Sequence, residues 1–130
     1  MSTSARFTNG QGPINEGTEN TDILRNNQFL TPAFAATIAL AVYASYTLVQ
    51  PAVLTGVVTF SVNVGSASTG PYVGDKIDFL LTPDGTSRVV TFGTGFAPNG
   101  TISVTTAKFA SISFMFNGTS WIETGRTVTA

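Results

Sequence analysis

From Ala35 to the end of the chain, large apolar residues recur at every second position in short runs, and Gly, Pro and Asn stand between the runs. A period of two belongs to strands that bury one face and wet the other, and no stretch carries a competing helical period. In residues 37–42 the buried phase is Ile38, Leu40 and Val42; in residues 58–64 it is Val58, Phe60, Val62 and Val64, with Thr, Ser and Asn between. Ile77, Phe79 and Leu81 continue it, followed by residues 87–92, 101–105, 111–116 and 120–124. With residues 46–49 these make about eight strands. The expected fold is therefore all-β: a single β-sandwich or jelly-roll-like domain over residues 35–130, built from about eight short antiparallel strands. Asn117-Gly118 lies between two alternating runs and predicts a hairpin with a type I′ turn.

Residues 1–34 differ in kind. The first thirty are rich in Asn, Gly, Thr and Gln and show no sustained period, so they do not supply a core of their own. Phe7, Ile14, Ile23, Leu24, Phe29 and Leu30 punctuate them irregularly, with Arg6 and Arg25 alongside. That spacing suits an extended N-terminal arm whose side chains fill separate pockets on a partner; a terminus without fixed structure has the same composition. An arm of about 30 extended residues reaches up to ~100 Å.

Length and charge narrow the reading. At 130 residues the chain is one domain's worth of protein. Only 10% of residues are charged, where ordinary soluble domains carry about a quarter. Residues 26–74 contain no Asp, Glu, Lys or Arg. A surface so poor in charge is expected to lie against another subunit or another protein, although β folds with Ser/Thr outer faces also exist as monomers. The net charge is −1 and the basic residues are scattered singly, so no nucleic-acid partner is expected. Residues 33–49 are apolar, but they are bounded by Pro32 and Pro51, rich in β-branched residues and Tyr, and lack flanking Lys or Arg, so no membrane span is expected. Residues 1–30 have no apolar core of a signal peptide.

The chain has no His and no Cys, which removes the most versatile catalytic groups, the usual transition-metal ligands and any disulfide framework. Its carboxylates after Ala35 are Asp75, Asp78, Asp84 and Glu123. Asp75 and Asp78, three apart, fall on opposite faces of a strand. Asp84 sits in a Thr-Pro-Asp-Gly turn. Glu123 shares a strand face with Trp121 and is placed to pair with Arg126 or a neighbouring subunit. A carboxylate-based glycan hydrolase is the enzyme alternative, and no spacing singles out an acid pair for it. No catalytic residue, metal or cofactor is expected. Asn99-Gly100-Thr101 and Asn117-Gly118-Thr119 match the N-glycosylation pattern but fall at expected turns. Gly93-Thr94-Gly95 is followed by no helix pattern, so it is no phosphate loop. The aromatics Tyr43, Tyr46, Tyr72, Phe109 and Trp121 suit either a platform for sugars or packing; in a low-charge β protein packing is expected. Tyr43, Tyr46, Phe109, Trp121, Glu123 and Arg126 are thus the candidate subunit interface.

GDKIDFLLT at 74–82, RVVTFGTGF at 88–96 and FMFNGTSWIETGR at 114–126 together resemble a β domain of tailed-bacteriophage virion proteins. It occurs in capsid decoration proteins, head fibres and tail fibres, where a turn before a Trp-x-Glu strand closes the domain. The resemblance implies a β-sandwich or jelly-roll-like subunit, usually a homotrimer, and carries over no catalytic residue. The short chain lacks shaft repeats and coiled-coil heptads. Within that group it therefore suits a decoration (cement) protein on the outer capsid surface of the virion, its arm on the major capsid protein or neighbouring trimers. The alternative is a head- or tail-fibre module that binds host glycans through loops near Tyr72, Asp84 and Phe96.

Overall fold

The computed structural model describes residues 27–65 and 70–128. They form ten strands and no helix: β1 (Asn27–Leu30), β2 (Thr37–Leu40), β3 (Tyr46–Val49), β4 (Val58–Val62), β5 (Lys76–Leu81), β6 (Arg88–Phe92), β7 (Phe96–Ala97), β8 (Ile102–Val104), β9 (Ala110–Phe116) and β10 (Trp121–Val128). Two sheets result, one of six strands in the order β1-β3-β5-β9-β10-β7 and one of four in the order β2-β4-β6-β8.

Successive strands from β1 to β6 go to opposite sheets. The chain winds so that β1, β3 and β5 lie parallel in one sheet, and β2, β4 and β6 lie parallel in the other. After β6 the pattern changes: β8 runs antiparallel to β6, and β9 runs antiparallel to both β5 and β10. β7 adds to β10 in parallel. The expectation of about eight antiparallel strands is thus corrected to ten strands in mixed sheets. Alternation reports which side of a strand is buried and is silent on the direction of its neighbours. A parallel neighbour needs a long crossover, and here a strand of the opposite sheet provides it.

The buried phase is the one the alternation predicts, except at Val64, which lies beyond the end of β4 and is exposed. Ile38, Leu40, Val42, Val58, Phe60, Val62, Ile77, Phe79, Leu81, Ile102, Val104, Ile112, Phe114 and Phe116 all lie in the core. The sheets meet through phenylalanine rings. Phe92 of the four-stranded sheet approaches Phe79 at 5.1 Å and Phe114 at 4.9 Å between ring centroids, and Phe96 lies 4.7 Å from Phe114. Such tilted and edge-on pairs add about 0.5–1.5 kcal/mol each beyond the area they bury.

Two side-chain amides do the work of backbone where regular pairing lapses. Asn63 accepts from the Val42 N–H at 2.8 Å and donates to the Val42 carbonyl at 3.0 Å. Gln28 accepts from the Tyr43 N–H at 3.1 Å and donates to the Ala41 carbonyl at 2.9 Å. Residues 41–43 are thereby held on both sides without a strand partner.

Asn117-Gly118 does join two antiparallel strands, β9 and β10. Of the two, only Gly118 has a positive φ, so the turn is not type I′, which needs both central residues left-handed. The Asn117 side chain closes it instead, accepting from the Thr119 and Ser120 N–H groups at 2.9 Å each. At Gly95 (φ 93°) a Cβ would lie 2.3 Å from the Val62 carbonyl oxygen, and the Gly95 carbonyl accepts from the Trp121 N–H. Only glycine fits there.

Candidate functional site

The expected site residues divide into three groups. Arg6, Phe7, Ile14, Ile23, Leu24 and Arg25 lie outside the described residues. Phe29 and Leu30, assigned to the arm, belong to β1 and pair with Leu48 and Val49 of β3. Leu30 packs on the domain's own core, which corrects its reading as a partner contact, whereas Phe29 points outward and is 60% exposed.

Trp121 and Glu123 are corrected as interface residues. Trp121 is fully buried, its ring tilted against that of Phe116, and its indole N–H donates to the Asn63 carbonyl at 3.0 Å. Glu123 is buried beside it and receives two bonds from Arg126, at 2.7 and 2.8 Å, plus the Asn99 N–H at 2.8 Å. Arg126 also donates to the Gly100 and Thr101 carbonyls. The pair therefore pins the 99–101 turn onto β10. The Arg126 guanidinium holds the Glu123 carboxyl below the usual glutamate range, against the opposing effect of burial. Of the two expected partners for Glu123, Arg126 or a neighbouring subunit, the structure shows Arg126; the sequence carries no mark of the turn that folds over the pair.

The remaining carboxylates have local partners too. Asp84 forms a two-pronged pair with Arg88 at 2.8 and 2.9 Å, which lowers its pKa. Asp75 is buried and accepts from the Tyr72 N–H. Among the described residues no group of three acidic side chains is placed to hold a metal ion, and no helix is long and apolar enough to cross a membrane.

The loops named for glycan binding do not converge. Tyr72 precedes β5 and Asp84 follows it, so they stand at opposite ends of a six-residue strand, and Phe96 is buried in the ring cluster.

What the fold does assemble is a face. On the outside of the six-stranded sheet, Tyr46, Lys76, Met115 and Ile122 form one cross-strand row, and Phe29, Leu48, Asp78 and Ser113 form the next. Leu80, 42% exposed, extends it along β5. Lys76 and Asp78 are the only charges at the outward positions of β1, β3, β5 and β9. Asp78 accepts from the Tyr46 hydroxyl at 2.9 Å and from the Ser113 hydroxyl. Burial, then the Asp78 carboxylate, raise the Tyr46 phenol above its ordinary value. Tyr46 was foreseen as a contact residue; Leu48, Leu80, Met115 and Ile122 were not. Their signal was present as apolar residues in the outward phase of runs read for their inward phase.

Two more of the expected contact aromatics are exposed outside the rows just described. Tyr43 lines an apolar cavity of about 460 Å³ with Leu30 and Leu40, where β1 and β2 end the two sheets. Phe109, immediately before β9, is also exposed. No protein-family profile matches the chain, and no curated protein matches it in sequence.

Proposed function

We propose that this chain is a structural subunit of a tailed-phage particle, a decoration protein that assembles with copies of itself on the outer capsid surface. The single observation that carries the reading is the outer face of the six-stranded sheet. Contiguous exposed apolar area of this kind marks a surface that meets protein, and here it bears one Lys and one Asp. The described carboxylates are held by local donors, and the loop residues named for glycan recognition are dispersed; both favour an assembly role over hydrolysis or host recognition. Residues 1–26 join the domain at Asn27, in the outermost described strand of that sheet, which is a suitable departure point for an arm reaching the major capsid protein.

Antibody labelling of purified phage particles from the source of this sequence tests the proposal. Regular labelling of the head exterior is the expected result. Labelling confined to fibre or tail tips would move the protein to the receptor-binding alternative, and absence from the particle would remove the virion role.

A further inference from the structure

From the same face we infer that two copies associate across a twofold axis, with their six-stranded sheets packed face to face. Lys76 and Asp78 point outward two residues apart on β5, near the middle of the sheet, and neither forms an ion pair among the described residues. Covering them with an uncharged partner would leave two charges buried and unpaired, which is strongly unfavourable. A suitable partner must offer an acid and a base at the same spacing.

A second copy does so in one orientation. With the twofold axis in the plane between the sheets and perpendicular to β5, the two β5 strands run antiparallel across the interface. Lys76 of each copy then faces Asp78 of the other. An axis parallel to β5 would set Lys76 against Lys76 and Asp78 against Asp78. The favoured axis also places Tyr46 of one copy over Leu48 of the other, because these residues share rows with Lys76 and Asp78. Sheets packed in this way lie about 10 Å apart, within reach of a lysine and an aspartate extended towards each other. The 31 residues of the six strands, at about 3.3 Å rise and about 4.8 Å between strands, present ~500 Å² per copy, so the pair buries about 1,000 Å² in total, the lower end for a specific interface. Self-complementarity of one patch is the mark of an isologous contact, and it differs from the threefold arrangement implied by the resemblance.

Charge reversal tests this on the full-length protein, by sedimentation equilibrium. The wild type is expected as a dimer. K76D places two acids against two acids and D78K two bases against two bases, so each alone should self-associate at least tenfold more weakly. Mixed one to one, they should recover heterodimers, and the double variant K76D/D78K should recover homodimers. Should D78K fail to fold, K76D alone remains decisive, since Lys76 is exposed and makes no side-chain bond among the described residues. Raising salt should strengthen K76D association and weaken that of the wild type. A monomeric wild type, a trimer indifferent to K76D, or folded variants that do not recombine would overturn the inference. It rests on the proposed self-association and not on the proposed location. A protein that labels capsids while K76D leaves its mass unchanged overturns the interface alone; a K76D-sensitive dimer absent from particles overturns the location alone.

Discussion

The two sheets present the core with similar residues and solvent with opposite ones. Outward from the four-stranded sheet stand Thr37, Thr59 and Thr91 in one row and Ala39 beside Ser61 in the next, with Val89 opposite Ser103. Outward from the six-stranded sheet stand Phe29, Tyr46, Leu48, Leu80, Met115 and Ile122 around one Lys and one Asp. The scarcity of charge thus has two causes. Hydroxyls keep one face hydrated without ions, whereas on the proposed reading the other face lacks ions because it meets protein. Covered surface and Ser/Thr surface were alternatives for the whole chain; the proposed assembly assigns one to each sheet.

The most severe way to break this contrast is to remove the core both faces share. Phe114→Ala empties a site ringed by Phe79, Phe92 and Phe96 and should cost about 3–5 kcal/mol in denaturant unfolding. Deletions separate sheet from arm. Removing residues 1–26 should leave the unfolding midpoint of the domain unchanged and abolish capsid binding. Extending the cut to residue 30 removes β1 and the packing of Leu30, and should lower stability by about 2–4 kcal/mol.

Glu123→Gln is smaller, because Arg126 is partly exposed, and should cost about 1–3 kcal/mol at neutral pH. The folded pKa of Glu123 is depressed. Its contribution is therefore complete above the unfolded glutamate value of about 4.3 and lost as pH falls through the lower folded value. Unfolding curves of wild type and E123Q should accordingly converge between neutral and strongly acid pH; curves that stay parallel would mean the pair is not linked to folding.

The smallest change in stability sharpens the contrast most. Converting Leu80 and Met115 to Thr makes the six-stranded face resemble the other and should shift unfolding by no more than about 0.5 kcal/mol each, while weakening self-association at least tenfold in sedimentation. Thr59→Ser on the opposite face should alter neither.

The inner half of the central strands was legible because burial imposes a period of two whatever the neighbour's direction, whereas β1, assigned to the arm, and the two-residue β7 were too short to show that period. Strand order was not, since Val58–Val62 reads the same between parallel or antiparallel partners. Gln28 and Asn63 were missed for a related reason: a polar residue whose amide replaces backbone pairing looks like a loop residue until its partner, 13 or 21 positions away, is known. Trp121 and Glu123 were correctly put on one strand face, but pattern alone did not identify that face as the inner one.

The winding also orders events during synthesis. Strands β1 to β6 pair only with strands two places along the chain, each pairing closing a loop that contains a strand of the other sheet, until β9 docks on β5. Among the described strands only the β9–β10 hairpin is local, and it leaves the ribosome after β1 to β8. That edge of β5 therefore stays open until β9 arrives, and β9 and β10 complete the described sheet. High contact order of this kind makes for slow folding, so Ile77, Phe79 and Leu81, the inward apolar residues of β5, wait in the nascent chain until β9 covers that edge.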